Sequence, residues 1–211
     1  MKLYNSNLSP NALRVRAVAK ELDLPVEIID VDLRKGENKA PEFLKINPNG
    51  KVPVLVDGDF VLWESRAINA YLAAKKPERD LYPADPKKRA IVDQWSYWQA
   101  IHFGPAMQRI VFERLIKPRF GMGEADEKAV ESGMKELAQW LPVLDADLAG
   151  KEWVTGALSL ADFAVASTLV YAKPAGIPLD DTPNIPAWIA RMEARPSWQA
   201  ATAPVKAFLS S

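Results

Sequence analysis

Residues 47–68 read NPNGKVPVLVDGDFVLWESRAI, and this stretch decides the fold. A turn leads through the Val52-Pro53 bond into a short apolar strand. Asp57-Gly58 is a strong signal for a tight hairpin turn, which returns the chain in a second strand. Glu64-Ser65 then opens a helix, because a hydroxyl residue beside an acid is typical of a helix N-terminus. The stretch therefore predicts an antiparallel hairpin followed by a helix.

The region before the hairpin predicts a further pair of strands joined by a helix. One strand is expected at residues 2–4 and another at 26–31. Between them, Ser9-Pro10 fits the cap and the first position of a helix whose apolar residues recur at helical spacing. Two strands joined in this way form a right-handed parallel unit. With residues 36–46 irregular or weakly helical, the order βαβαββα is that of an α/β thioredoxin-like domain.

The rest of the chain predicts helices only. Three prolines and several charges between residues 77 and 86 indicate a linker, and no comparable strand pattern follows it. We therefore expect a thioredoxin-like domain at 1–77, a linker at 78–86 and an all-helical domain at 87–211. Helical patterns in the last part cover residues 87–119, 124–148, 159–173 and 185–195.

Composition narrows the possible functions. The chain has 211 residues, and its 27 basic side chains equal its 27 acidic ones, so neither nucleic acid nor an anionic membrane is expected as a partner. No apolar run approaches the ~20 residues of a membrane span, and no signal peptide is expected, which favours a cytoplasmic protein. With no cysteine and one histidine, neither a metal site nor a cysteine nucleophile is expected. Any reactive thiol must arrive with a ligand.

Several residues suit a small peptide that carries an α-amino-acid end. Val52 can offer the backbone groups of a strand edge to an extended ligand. Glu64 can bind an ammonium group, and Ser65 with the neighbouring helix amides can bind a carboxylate. A structural interpretation competes for both side chains, since an acid and a serine are common where a strand passes into a helix.

Ser9 also has two interpretations. Ser followed by Pro is good helix-start chemistry by itself. The same position would stabilise a ligand thiolate, because the positive end of a helix and a donating hydroxyl both favour ionised sulfur. Ser6 is a nearby rival for that role. Tyr4 lies in the first strand, where a core aromatic is the preferred interpretation.

These residues resemble the soluble glutathione S-transferases over nearly the whole chain, most closely over 1–75. The strings KVP at 51–53 and ESRAI at 64–68 stand at the family's spacing. The string YNSNLSPNALRVR at 4–16 resembles the serine-type transferases, which comprise the phi, theta and related bacterial classes, and the chain is expected to be a phi/theta-like bacterial member. The resemblance implies that Ser9 activates glutathione, a co-substrate, with no permanently bound cofactor. The implied reaction joins the glutathione thiolate to small hydrophobic electrophiles, as in detoxification.

The resemblance also implies a homodimer and two subsites. Val52 would pair with the backbone of the cysteinyl segment, with the Val52-Pro53 bond in the cis form. In the segment GENK at 36–39, Asn38 replaces the family's histidine, and it can donate a hydrogen bond but cannot become cationic. The implied glutathione contacts are Asn38, Lys39, Lys51, Val52, Pro53, Glu64 and Ser65. The implied second-substrate pocket, at the junction of the domains, comprises Leu8, Pro10, Phe103, Met107 and Phe112.

Other conspicuous residues are expected to be structural. Ser159-Leu160-Ala161-Asp162 is typical of a capping box, and Gly104-Pro105 predicts a kinked helix. His102 is expected at the surface or satisfied in the core, rather than as a base. A solvated basic face is expected for Arg109, Arg114, Lys117 and Arg119, with an anionic co-substrate contact as the lesser alternative. The seven tryptophans are expected mostly in cores or interfaces.

Two other functions stay open at this point. One is a different glutathione-dependent enzyme on the same fold, such as a dehalogenase, an ether-cleaving enzyme or an isomerase. The other is a non-catalytic protein that binds glutathione or a protein partner. The presence of Ser9, Val52-Pro53 and Glu64-Ser65 together argues against the second of these.

Overall fold

A computed structural model of the chain describes residues 1–210, and their contacts divide into two compact units. The first unit comprises Met1–Tyr82 together with residues 195–210, and the second comprises Pro83–Ala194. The first unit thus extends to Tyr82, inside the stretch 78–86 expected as a linker. The sequence-based division also assigned residues 195–210 to the helical domain. These residues instead pack on the first helix of the first unit.

Four short strands form the sheet of the first unit: β1 Lys2–Asn5, β2 Glu27–Asp30, β3 Val54–Asp57 and β4 Phe60–Trp63. Their spatial order is β2-β1-β3-β4, with β1 parallel to β2 and the two other pairings antiparallel. The hairpin between β3 and β4 turns at Gly58, whose φ of 65° suits glycine. The mixed four-stranded sheet confirms the thioredoxin-like fold.

Four helices belong to the first unit: α1 Pro10–Glu21, α2 Pro41–Ile46, α3 Ser65–Ala74 and α10 Pro196–Ser210. Short 3-10 turns cover Glu37–Lys39 and Pro77–Arg79. Nine of the twelve residues of α1 are buried, because α3 and α10 both pack against it. α10 was not predicted, although Trp198, Ala201, Thr202 and Val205 give it a buried stripe at helical spacing.

The second unit is helical, as expected. Its helices are α4 Pro86–Trp98, α5 Gly104–Val111, α6 Lys117–Arg119, α7 Glu127–Leu148, α8 Leu160–Leu169 and α9 Asn184–Glu193. Two π-helical turns, Gln99–Phe103 and Phe112–Ile116, join α4, α5 and α6 into one long rod. Each π turn ends two residues before a proline, Pro105 or Pro118. A proline ring clashes with the carbonyl four residues earlier, and the wider turn relieves that clash.

Asp162 holds the interior of the second unit together. The predicted capping box forms at the start of α8, with Ser159 as the cap and Asp162 at the third helical position. The Asp162 carboxylate also accepts from the Val154 N–H and from Nε1 of Trp188, both at 2.9 Å. Burial raises the pKa of Asp162, against the lowering effect of these hydrogen bonds. None of the helices described between residues 1 and 210 is long and apolar enough to cross a membrane.

Candidate active site

The register of the sheet brings three polar segments to one edge. Tyr4 of β1 lies opposite Val54 of β3, and Val54 lies opposite Trp63 of β4. The end of β1, the start of β3 and the end of β4 are therefore neighbours. Each of these strand ends adjoins one of the polar segments. The turn that leads to Ser9 follows β1, the Val52-Pro53 bond directly precedes β3, and the Glu64-Ser65 pair directly follows β4.

Ser9 is the N-cap of α1. Its Oγ accepts a hydrogen bond from the backbone N–H of Ala12 at 3.3 Å, and Pro10 occupies the first helical position. The backbone N–H of Ser9 donates to the carbonyl of Ser6 at 3.0 Å. Because capping uses the hydroxyl oxygen as an acceptor, the hydroxyl proton stays available for donation. The two interpretations of Ser9 are thus compatible.

A buried arginine supports the turn that leads to Ser9. Arg16 donates through Nη1 to Oδ1 of Asn5 and to the carbonyl of Ser6, the latter at 3.4 Å. Its Nη2 donates to the carbonyl of Asn7 at 3.3 Å and to that of Ala201 in α10 at 3.2 Å. Asn5 is itself fully buried and donates to the carboxylate of Asp30 at 2.6 Å. These contacts fix the backbone between β1 and α1.

Glu64, and not Ser65 as expected, stands at the N-cap position of α3. Glu64 is exposed and has φ 73° and ψ 110°, a conformation that few residues other than glycine adopt. The Glu64 side chain makes no capping hydrogen bond to this helix. The Ser65 hydroxyl is buried and instead accepts from Nη1 of Arg14 at 3.4 Å.

Arg14 places a buried positive charge behind this pair. Its side chain is 1% exposed, and its backbone carbonyl accepts from the Asn69 amide at 3.5 Å. Burial lowers the pKa of Arg14 well below its ordinary value, and the nearby Arg66 lowers it further, while the Glu64 carboxylate opposes both effects. The N-terminal end of α3 is therefore a basic environment that favours a bound anion.

The Val52-Pro53 bond is cis, as the resemblance implied. The Val52 side chain is buried in a small apolar cluster with Phe43 and Val54. Tyr4 packs edge-on against Phe43, with ring centroids 6.0 Å apart, in agreement with the core interpretation of that tyrosine.

The loop before Val52 is held by two amide side chains. Asn38 donates to the Gly50 carbonyl at 2.7 Å, and Asn47 donates to the Lys51 carbonyl, also at 2.7 Å. Gly50 has φ 59°, and a β-carbon there would lie 2.7 Å from Nζ of Lys39. Lys39 therefore reaches the same loop that carries Lys51, and both lysines are exposed. Two ammonium groups beside one loop suit a ligand carboxylate.

The residues expected for the second substrate differ in exposure. Leu8 and Pro10 are half-buried beside Ser9. Phe103 and Met107 are buried, whereas Phe112 keeps 37% of its surface exposed. Phe103 stacks on Trp98 with ring centroids 5.2 Å apart. The five residues remain a predicted pocket.

His102 and the basic residues of the second unit have structural contacts. His102 is exposed and lies against the ring of Trp140, with centroids 4.9 Å apart. The expectation of a solvated basic face needs correction, because Arg109 pairs with Glu136 and Lys117 pairs with Glu113 at 2.6 Å. Arg114 donates to the Ala175 carbonyl at 3.1 Å.

The sequence interpretation gave no role to Arg14, Arg16 or Asn5. The signal was present, since both arginines lie between apolar residues, Leu13, Val15 and Ala17, in the middle of the helix. An arginine that cannot reach water must find internal acceptors. In the part of the chain that the structure describes, no cluster of acidic and histidine side chains is suited to a metal ion.

Comparison with known proteins identifies two matching family descriptions. Residues 1–74 match "Glutathione S-transferase, N-terminal domain", and residues 102–196 match "Glutathione S-transferase, C-terminal domain". A probable glutathione S-transferase GSTF2 of rice (Oryza sativa subsp. japonica) is 41% identical over 202 residues, which cover 94% of each chain. Glutathione S-transferase 3 of maize (Zea mays) is 39% identical and covers 97% of this chain and 94% of its own.

A solved structure gives the same relationship. Glutathione S-transferase I from maize, in complex with an atrazine glutathione conjugate, has a TM-score of 0.87 and 37% sequence identity. The match covers 97% of each chain. These relatives are plant proteins, so they do not support the bacterial origin that the resemblance suggested.

Proposed function

Because the chain belongs to the glutathione S-transferase family, we propose that Ser9 is the residue that activates glutathione in it. The enzyme is a glutathione transferase with glutathione as co-substrate, and it joins the thiolate to small hydrophobic electrophiles. The observation that carries the role of Ser9 is its hydrogen bonding. Its Oγ accepts from the Ala12 N–H, which leaves the hydroxyl proton to donate to sulfur at the positive end of α1.

The free-energy requirement supports this role. A cysteine-like thiol has a pKa near 8.5, so only a few per cent is ionised at pH 7. Lowering that pKa by about two units requires ~2.7 kcal/mol of selective stabilisation of the thiolate. A hydrogen bond to a charged group contributes about 1.5–3 kcal/mol, and a helix N-terminus contributes about 0.3–1 kcal/mol. The two together match the requirement without a metal ion or a cationic side chain.

The tripeptide would lie along the same edge of the sheet. Glu64 would bind the ammonium of the γ-glutamyl end, and Ser65 with the amides of the first turn of α3 would bind its carboxylate. The backbone of Val52, just before Pro53, would pair with the cysteinyl segment. Lys39 and Lys51 would bind the glycyl carboxylate, which is supported by the approach of Nζ of Lys39 to Gly50, the residue before Lys51.

The bound thiolate then attacks the electrophile by substitution or addition. Holding the two reactants side by side makes the reaction effectively unimolecular, which supplies much of the rate. The maize relative that holds an atrazine glutathione conjugate suggests aromatic electrophiles as a substrate class. Phe112, the most exposed of the predicted pocket residues, is a candidate contact for such a ring.

Finer assignments complete the proposal. Plant relatives and the serine-centred site favour a phi-type class and a cytosolic enzyme. A homodimer is favoured by exposed apolar side chains in both units, Phe60 and Trp63 on β4 and Tyr97 and Ile101 near the end of α4. Sedimentation of the native chain tests the dimer, and a monomer at micromolar concentration would contradict it.

The pKa of bound glutathione tests the role of Ser9. Ultraviolet difference absorption of the thiolate should give a lowered pKa on the native enzyme and a nearly free one on Ser9→Ala, while S-methylglutathione binds both. Ser9→Thr keeps the hydroxyl and the cap, so it should retain a lowered pKa. Ser6→Ala serves as the matched control and should behave as native.

Each contrary result has a definite meaning. A normal pKa in Ser6→Ala together with a lowered one in Ser9→Ala would transfer the role to Ser6. An unshifted thiol on the native enzyme would refute activation altogether. A native enzyme that lowers the pKa but releases halide, cleaves ethers or isomerises substrates faster than it forms conjugates would favour the related glutathione-dependent activities.

A further inference from the structure

Arg16 makes more polar contacts than a side chain needed only for packing. It lies two turns into α1 and is 4% exposed. Four acceptors surround its guanidinium: Oδ1 of Asn5 and the carbonyls of Ser6, Asn7 and Ala201. Three of these belong to the segment that connects β1 to Ser9.

One of these acceptors links Arg16 directly to Ser9. The Ser6 carbonyl accepts both from Nη1 of Arg16, at 3.4 Å, and from the backbone N–H of Ser9, at 3.0 Å. The position of Ser9 is thus set at both sides, by the Ser6 carbonyl before it and by its own cap to Ala12 after it. A shift of the Ser6 carbonyl would therefore also move the backbone of Ser9.

The outer side of the guanidinium faces α10. Nη2 bridges the Asn7 carbonyl and the Ala201 carbonyl, two groups 194 residues apart in sequence by their numbers (201 − 7). A planar guanidinium has donors in fixed directions, so it can hold carbonyls of two elements at a set separation. A lysine ammonium has the charge but lacks this fixed fork.

We propose that Arg16 is the positioning residue for Ser9: its guanidinium fixes the Ser6–Asn7 backbone against Ala201 of α10 and so aims the serine hydroxyl at the glutathione sulfur. This inference rests on the proposed role of Ser9. A hydrogen bond weakens steeply once its angle departs from linear, so a loosened turn costs thiolate stabilisation even with the hydroxyl present. Arg16 itself does not touch the ligand.

The test separates aiming of the hydroxyl from binding of the peptide. Arg16→Met keeps the length and apolar stem of the side chain and removes the fork. It should raise the pKa of the bound thiol by about one unit, from about 6.5 to about 7.5, which lowers the thiolate fraction at pH 7, and with it kcat/KM, by about threefold. The dissociation constant of S-methylglutathione, which has no ionisable thiol, should stay within about twofold of native, well under the 1.4 kcal/mol of a tenfold change.

Arg195→Met is the matched control. Arg195 precedes α10 and pairs with Glu21 at the far end of α1, so its loss also weakens contact between the two helices. Because this ion pair lies at the opposite end of α1 from Ser9, glutathione bound to Arg195→Met should have the native thiol pKa. A similar rise in the thiol pKa for Arg195→Met and Arg16→Met would mean a general loosening of the unit and would overturn the proposal.

A double-mutant cycle with Ser9 decides the mechanism. If Arg16 acts through Ser9, Arg16→Met should have no effect on the thiol pKa in a Ser9→Ala background. Additive effects would overturn the proposal, because they would mean that the arginine acts on sulfur by its own charge. If Arg16→Met does not fold, Arg16→Lys takes its place in the same cycle. A lysine variant with the native thiol pKa would also overturn the proposal.

The outcomes distinguish this inference from the proposed function. If Ser9→Ala leaves the thiol pKa lowered, the role of Ser9 fails and the inference fails with it. If Ser9→Ala raises the pKa and Arg16→Met does not, only the positioning role of Arg16 is refuted.

Discussion

The side-chain amide of Asn38 donates a hydrogen bond to the backbone carbonyl of Gly50 over 2.7 Å. Asn38 replaces the histidine expected in this family, and one of its two amide N–H donors is already engaged within the protein. The bond joins the 3-10 turn at Glu37–Lys39 to the loop that carries Lys51 and Val52. We therefore propose that Asn38 contributes to glutathione binding by holding this loop, while Lys39 contacts the ligand.

This relationship predicts how two ligands respond to substitution at residue 38. Asn38→Ala should weaken the binding of glutathione by about threefold to tenfold, the loss expected for one net hydrogen bond. It should weaken γ-glutamylcysteine, which lacks the glycyl carboxylate, by the same factor. Lys39→Met is the comparison, and it should weaken glutathione only. Calorimetric titration of both ligands measures this, and a loss for Asn38→Ala confined to glutathione would indicate direct contact with the glycyl carboxylate.

The backbone conformation of Glu64 predicts that one substitution can stabilise the fold while it weakens glutathione binding. At φ 73° and ψ 110° a side chain costs about 1–3 kcal/mol, so Glu64→Gly should raise the free energy of unfolding by about 1 kcal/mol after the entropy of glycine is allowed for. The same change removes the carboxylate and should weaken glutathione at least about tenfold. Glu64→Ala separates the effects, because it loses binding and keeps the backbone strain.

The control for Glu64 is Asp80→Gly, at φ 48° in the turn after Pro77–Arg79. It should change stability without any effect on glutathione affinity. Urea unfolding and ligand titration of the four proteins give both quantities. Equal stability of Glu64→Gly and Glu64→Ala would show that the backbone at residue 64 stores no strain.

The hydrogen bonds of the Glu113 carboxylate predict that the free energy of unfolding depends on pH. The backbone N–H of Asp126, and then the ammonium of Lys117, hold the pKa of the Glu113 carboxyl below its ordinary value near 4.5. Since the folded pKa is depressed, the stabilisation is fully present above pH 4.5 and is lost as pH falls through the folded pKa. Glu113→Gln should therefore be less stable than native at pH 7, with the difference shrinking towards zero in acid.

A second glutamate–lysine pair provides the control for Glu113. Glu42 pairs with Lys45 at 2.8 Å, but its side chain is 82% exposed against 10% for Glu113. Exposed ion pairs contribute little to the free energy of unfolding, so Glu42→Gln should match native stability across the same pH range. The prediction fails if the two variants give parallel curves of unfolding free energy against pH.

The buried hydrogen bonds of Asp162 predict that its substitution causes the largest loss of stability among these variants. Asp162→Ala leaves the Val154 N–H and the Trp188 indole N–H buried without their acceptor, at about 1–3 kcal/mol for each group. We expect the free energy of unfolding to fall by about 3 kcal/mol or more. The fluorescence of Trp188 should also change, because its indole N–H loses its acceptor. Ser159→Ala, which removes the cap but leaves the acceptor of Val154 and Trp188 in place, should cost about 1 kcal/mol. Similar losses in both variants would contradict a central role for the carboxylate.

Much of the fold followed from local patterns. The hairpin around Asp57-Gly58 and the capping box before α8 depend on residues close in sequence, and both formed as predicted. Ser65 was misassigned as a cap because the left-handed backbone at Glu64 is rare for glutamate and has no sequence signature.

The supports of the candidate site depend on distant contacts. Arg16 reaches Ala201 over a separation of 185 residues, and Arg14 reaches Ser65 over 51. Local periodicity cannot identify such partners, although it does show that both arginines lie among apolar neighbours. Ser9, by contrast, was found from its immediate context, since capping a helix is a local interaction.

The pairing of α1 with α10 has a consequence for the order in which the protein is made. α10 covers one side of α1 and supplies the Ala201 carbonyl to Arg16. During translation the ribosome must deliver all of Pro83–Ala194 before residues 195–210 exist. In a nascent chain that has finished its sheet, α1 therefore still lacks the cover of α10, and Arg16 gains its contact with the Ala201 carbonyl only after the whole second unit has been synthesised.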